Sequence, residues 1–256
     1  MALKDFFAKT KESYSVMKQR WLAKRFASLF NRVADEKMIL PPEDLLCFQV
    51  AWYAYYPPAQ RPKNIEGYTL EDLVDSDIER VCMYVNHEKK HLIIGYRGTE
   101  ATDTKDIMSD AQILLGVSGV DKRVKSSLRI YDSIHAQYPD YRKWVCGHSL
   151  GGTIAYIIAK HRNPERVTVF NPGSAPNSLF IQMLTDTVRK NPWTKNVYTY
   201  KILGDVVSTF SFVGHSKVFR VNLKEPIALH RMPSFLGSGV KIIPLEAEKK
   251  VEGKKE

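Results

Sequence analysis

Helical and strand-like apolar segments alternate along most of this chain. Leu3, Phe6, Phe7, Tyr14, Met17, Trp21, Leu22, Phe26, Leu29, Phe30 and Val33 recur at three- and four-residue steps, which predicts one amphipathic helix over residues 3–33. Pro41 and Pro42 punctuate the chain, and residues 45–56 carry a second helical pattern that ends at Pro57-Pro58. Residues 60–77 are polar and rich in turn formers. Residues 80–85 and 90–96 read as two strands joined at Asn86-His87-Glu88-Lys89. A helical pattern runs from about Val120 to Gln137. Trp144–Cys146 is a short apolar run, and residues 153–160 form a helix of small side chains. Residues 166–170, 196–203 and 217–222 read as strands, with a helix over about 178–189. Strands separated by helices predict an α/β architecture, a doubly wound, mostly parallel sheet flanked by helices.

The pattern divides the chain into three segments: residues 1–37, a body over 38–243, and a charged tail over 244–256. Charge follows that division. The formal net charge is +10, and residues 1–37 hold nine Lys/Arg against four Asp/Glu. A basic amphipathic segment suits an anionic surface, and it equally suits packing on the body; the sequence leaves both open. Nucleic acid is not an expected partner, because no nucleic-acid motif accompanies the basic residues. Cys47, Cys82 and Cys146 are spaced without a CxxC pair, which points to a reducing compartment. The histidines lack metal-ligand spacing, so no metal or other cofactor is expected. Charges interrupt the first residues too often for a secretory signal, and no run of about 18 apolar residues exists for a membrane span. The expected location is intracellular, at most peripheral to a membrane.

Candidate chemistry centres on Gly147-His148-Ser149-Leu150-Gly151. A serine hydroxyl needs presentation to a base and a substrate together. A sharp strand-to-helix turn provides this, and Gly147 and Gly151 remove side chains that would collide within it. The helix that follows aims its free N–H groups at a developing oxyanion. A hydrolase of this kind carries its acid and its histidine after the serine. Of His161, His215 and His230, the last lies beyond the final strand in a late loop and is the expected base; His215 is the alternative. Among Glu165, Asp186, Asp205 and Glu225, only Asp205 follows directly on a strand, after Gly204. Ser149 is thus the expected nucleophile and Asp205 the expected orienting acid.

Tyr96-Arg97-Gly98-Thr99, Gly147 to Gly152, Asn171-Pro172-Gly173, Gly204-Asp205-Val206-Val207 and His230-Arg231-Met232 occur in one order over residues of about 45 to 235. In these pieces the chain resembles the class 3 lipase family, which has the α/β-hydrolase fold and includes the fungal triacylglycerol lipases. The resemblance implies a lipid or ester substrate. It implies that Thr99 and the Leu150 N–H form the oxyanion hole, that Asp110 steadies the oxyanion residue, and that residues of about 101–108 take the position of a lid. That segment is polar here and lacks an apolar face, so the substrate class widens to triglyceride, monoglyceride or phospholipid. Competing readings are a non-catalytic lipid- or partner-binding protein on the same fold, and an acyltransferase or thioesterase using the same triad.

Overall fold

A computed structural model of the chain describes residues 40–71, 73, 80–99, 118–173, 183, 185–205, 207, 208, 211, 213–219, 221 and 228–238. The predicted helix over 3–33, the lid segment 101–108, Asp110 and the tail 244–256 lie outside the described residues.

Helix α1 (Pro42–Tyr53) precedes a run of strands: β1 (Asn64–Ile65), β2 (Tyr68–Glu71), β3 (Val81–Asn86) and β4 (His91–Tyr96). Helix α2 (Ser118–Gln137), β5 (Arg142–His148), α3 (Leu150–Arg162), β6 (Arg166–Phe170), β7 (Val197–Ile202) and β8 (His215–Phe219) follow. The strands form one eight-stranded sheet in chain order. Pairing is antiparallel from β1 to β4 and parallel from β4 to β8.

Strand periodicity sorts side chains onto two faces. Cys82, Tyr84, Ile93, Cys146, Phe170, Tyr200 and Ile202 pack with α1. Met83, Leu92, Ile94, Val145, Val167, Val169 and Val197 pack with α2 and α3. Both faces of β3 and β4 are covered, so all six residues of each strand are buried. This explains their nearly continuous apolar sequence. The strand order never reverses from β4 on, and right-handed crossovers then carry successive helices to one face. The opposite face is covered by α1 together with Leu229, Met232 and Phe235 from the late turns Ala228–His230 and Met232–Ser238. The last of these side chains is thereby anchored close to the segment that carries His230.

The observed elements depart from expectation mainly at their ends. Residues 64–71, read as polar turn, hold the edge strands β1 and β2. They are short and pair only at the sheet margin, so their periodicity is too brief to register. Strand β5 extends over Arg142–His148, well past the apolar triplet Trp144–Cys146, and β8 starts at His215. The three cysteines, distant in sequence, are buried free thiols that share the α1 face. Beneath the sheet, Asp44 of α1 is fully buried; its Oδ1 accepts from Arg166 at 2.8 Å and from the Thr168 hydroxyl at 2.8 Å. Its other oxygen accepts from the Tyr200 hydroxyl at 2.5 Å, so one carboxylate pins α1 to β6 and β7. Among the described residues, no helix is long and apolar enough to cross a membrane.

Candidate active site

Ser149 stands between β5 and α3 with φ 55° and ψ −126°. A backbone of that kind costs a non-glycine residue about 1–3 kcal/mol and persists only where its surroundings hold it. They do so here. The Ser149 N–H donates to the Phe170 carbonyl at 3.2 Å, and its carbonyl accepts from the Gly173 N–H at 2.9 Å and the Thr153 N–H at 3.2 Å. The turn is too tight for side chains at its flanks. A Cβ on Gly147 would lie 2.4 Å from the Gly151 carbonyl oxygen, and one on Gly151 would lie 2.0 Å from the Tyr96 carbonyl oxygen. Both expected elbow glycines are therefore required by backbone contact. The Ser149 side chain makes no cap bond to α3. It turns instead to His230.

The His230 Nε2 lies 2.8 Å from the Ser149 Oγ, and its Nδ1 lies 2.9 Å from the Asp205 Oδ2. Both His230 and Asp205 are buried. Asp205 sits just past β7, after Gly204, whose φ of +91° suits glycine. The same short turn aims its own N–H groups back at the carboxylate: Val207 donates to Oδ1 at 3.0 Å and Ser208 to Oδ2 at 3.3 Å. Burial alone would raise the Asp205 pKa, but the His230 ring beside it and these hydrogen bonds outweigh that and hold it below the ordinary carboxylate value. An ionised carboxylate only accepts, so His230 carries its proton on Nδ1 and turns a lone pair toward the Ser149 hydroxyl.

The alternatives lie elsewhere. His215 is exposed, stacks on Tyr198 and bonds to the Lys195 carbonyl at 3.1 Å. His161 lies in the last turn of α3. Asp186 accepts from the Trp193 indole N–H at 3.2 Å and pairs with Lys160 at 3.4 Å. Glu165 pairs with Arg142 at 3.2 Å.

Thr99 follows Gly98, where an added Cβ would come within 2.9 Å of the Ser149 Cβ. The loop that carries Thr99 thus runs alongside the serine. The Thr99 hydroxyl oxygen is buried and has no hydrogen-bond partner among the described residues. A buried donor in that condition is costly unless a ligand completes it. Leu150 opens α3, whose first-turn N–H groups have no partner within the helix.

Three contributors carried no role in the sequence reading. Asn171, at φ 39°, donates its amide to the carbonyls of Leu229 at 2.9 Å and His230 at 3.0 Å, and accepts from the Ile202 N–H at 2.8 Å. It ties the His230 segment to β7. The Asn171-Pro172-Gly173 turn after a strand was the available signal. His148 and Tyr55 contact the site from beneath, and nothing in their sequence spacing marks them. Among the described residues, no group of His, Cys, Asp and Glu is arranged to hold a metal ion.

An eight-stranded, mostly parallel sheet with a strained serine at a strand-to-helix turn is the α/β-hydrolase fold. Residues 117–215 match the family described as Lipase (class 3). A 53-residue stretch is 36% identical to a protein of Eremothecium gossypii named "Putative lipase ATG15", covering 21% of this chain and 10% of that protein. The chain thus aligns with about a tenth of the length of that curated relative. Among solved structures, the Lip2 lipase of Yarrowia lipolytica overlays at a TM-score of 0.46 and 19% identity, over 77% of this chain and 86% of that one. A triacylglycerol lipase of Penicillium expansum overlays at 0.45 and 15% identity, over 83% and 92%.

Proposed function

We propose that the chain, whose residues 117–215 match the family described as Lipase (class 3), is a serine hydrolase that cleaves a carboxylic ester of a lipid through an acyl-enzyme on Ser149. The observation that carries the reading is the line Ser149–His230–Asp205, with contacts of 2.8 and 2.9 Å. In the first step the Ser149 oxygen attacks the ester carbonyl while its proton passes to the His230 Nε2. The carbonyl oxygen becomes an oxyanion, taken up by the Leu150 N–H and by the N–H and hydroxyl of Thr99. The tetrahedral intermediate then collapses. The C–O bond to the alcohol breaks, and His230 returns the proton to the departing oxygen. Water repeats the sequence on the acyl-enzyme, regenerates Ser149 and releases the fatty acid. Asp205 holds the imidazole tautomer and offsets its transient positive charge.

Support for the Thr99 role comes from its buried hydroxyl, which has no hydrogen-bond partner among the described residues, and from the close approach of the neighbouring Gly98 to Ser149. The family resemblance gives Asp110 the part of steadying that residue and residues 101–108 the position of a lid. The substrate is a triglyceride, monoglyceride or phospholipid, and the basic and aromatic residues of the 3–33 sequence suit peripheral contact with a membrane surface as well as packing on the body.

A panel of p-nitrophenyl esters of rising chain length, with phospholipid substrates alongside, tests the proposal on wild type and Ser149→Ala. Hydrolysis by the wild type that falls to background in Ser149→Ala is expected. Equal rates in the two proteins would remove Ser149 from the chemistry. A wild type without activity on any ester would favour the binding-protein reading.

A further inference from the structure

His148, the last residue of β5, is buried between the His230 segment and Tyr55, in the turn that follows α1. Its Nε2 lies 2.7 Å from the carbonyl oxygen of His230, and its Nδ1 lies 2.7 Å from the Tyr55 hydroxyl. The Tyr55 hydroxyl in turn lies 3.1 Å from the Gly98 N–H. Each link has only one workable polarity. A carbonyl accepts and cannot donate, so the His148 Nε2 must carry a proton. Burial, together with the neighbouring His230, pushes the His148 pKa down to about 3, so the ring is neutral and its Nδ1 is a bare lone pair. Tyr55 must therefore donate to Nδ1, which frees its oxygen to accept from Gly98.

We propose that Tyr55 and His148 are positioning residues for the hydrolysis, forming a one-way chain of hydrogen bonds that fixes the Gly98–Thr99 loop against the backbone of His230. This rests on the hydrolase reading above. The chain joins the two parts of the site that the sequence supplies from distant segments: the loop after β4, which offers the oxyanion donors, and the late turn, which offers the base. The turn that follows α1 contributes the bridging hydroxyl. Asn171 holds the same His230 carbonyl from another side, at 3.0 Å. Two donors converging on one carbonyl leave that backbone little freedom to drift from Ser149.

The neutral state of His148 also suits the chemistry. During attack His230 becomes positively charged, and the two ring centroids are 4.9 Å apart. A second charged ring at that distance would oppose the proton transfer; a neutral one does not. The chain leaves no room for a side chain at its far end. A Cβ on Gly98 would lie 2.4 Å from the Tyr55 oxygen and 2.8 Å from the His148 carbonyl oxygen.

Steady-state kinetics on a soluble p-nitrophenyl ester, with the melting temperature of each protein, test the proposal on Tyr55→Phe, His148→Leu and His148→Gln. A misplaced oxyanion loop or base lowers turnover and not ground-state binding, so kcat falls about 10- to 100-fold in Tyr55→Phe and His148→Leu with KM little changed. His148→Gln keeps one donor and one acceptor and recovers most of kcat. Wild-type kcat in folded Tyr55→Phe would overturn the proposal, as would a His148→Gln no better than His148→Leu. Should His148→Leu fail to fold, Tyr55→Phe, which removes a single oxygen, carries the kinetic test. Nitrogen NMR of the labelled imidazole rings in the full chain gives a readout independent of turnover. The Nε2–H tautomer of His148 is expected throughout about pH 5 to 8, with the Nδ1 resonance moving in Tyr55→Phe. A cationic ring or an Nδ1–H tautomer would overturn the chain of hydrogen bonds. If the wild type neither turns over an ester nor reacts with a fluorophosphonate, the hydrolase reading fails, and the NMR arm still decides the hydrogen-bonding pattern.

Discussion

The side-chain amide of Asn171 donates to the backbone carbonyl of His230 at 3.0 Å while its oxygen accepts from Ile202 at 2.8 Å. One side chain at the end of β6 thus sets the distance between β7, which delivers Asp205, and the late turn that delivers His230. Asn171→Asp would aim a carboxylate oxygen at two carbonyls in place of a donor. The expected outcome is a loss of stability of about 1–3 kcal/mol in urea unfolding, together with lower kcat. Wild-type kcat in a folded variant would show that the turn holds itself in place.

The two late histidines separate cleanly. His230→Ala removes the group in contact with Ser149, and turnover is expected to fall by at least about 10³-fold. His215→Ala removes an exposed ring bonded to Lys195, and activity is expected to stay close to wild type. Ester hydrolysis by both variants, measured under one set of conditions, checks the assignment; a silent His215→Ala would reverse it.

Asp205 links the site to pH. Its carboxyl is held below the ordinary value of 3.8. A depressed folded pKa contributes stability that is fully present above the unfolded value. That contribution is lost as pH falls through the folded value. The stability gap between wild type and Asp205→Asn is therefore expected to be constant near neutrality and to shrink below about pH 3.8. Chemical unfolding midpoints across that range give the answer, and a gap that does not narrow on acidification would contradict the depressed pKa.

The elbow glycines differ in what surrounds them. A Cβ at Gly151 meets the Tyr96 carbonyl oxygen at 2.0 Å, whereas one at Gly152 stays 3.0 Å from the Pro172 Cβ and 3.1 Å from its Cα. The first overlap requires strand backbone to move by more than an ångström, the second only a shift of a few tenths. Gly151→Ala is expected to destabilise by more than about 3 kcal/mol or to prevent folding, and Gly152→Ala by no more than about 1–2 kcal/mol. Parallel unfolding curves would expose a wrong ordering at once.

Asp44 stabilises without touching the chemistry. Asp44→Ala leaves the Arg166 guanidinium and the Tyr200 hydroxyl without their buried acceptor. A cost of about 3–5 kcal/mol is expected, with kcat of the folded fraction unchanged. A melting curve within a degree or so of wild type would place the anchoring of α1 elsewhere.

Local pattern and tertiary contact divided the information unevenly. The apolar runs at residues 80–85, 90–96 and 166–170 were legible because strands covered on both faces carry apolar side chains at nearly every position. Ser149 and its glycines were legible because a sharp turn leaves few residue types at fixed offsets. Asp205 was legible from its place at a strand end, and His230 by its order after the last strand. The edge strands at 64–71 were not, since strands so short show no period.

What the chain alone determined was therefore the sheet, the elbow and the candidate nucleophile, all of which depend on neighbours a few residues away. The partnership of Ser149 with His230 and Asp205, the clamp at Asn171, and the hydrogen bonds from Gly98 through Tyr55 and His148 were decided only when distant segments met. The reason is physical. A hydrogen bond demands placement to a few tenths of an ångström between groups as many as 93 residues apart, and no local periodicity encodes a distance across a folded core.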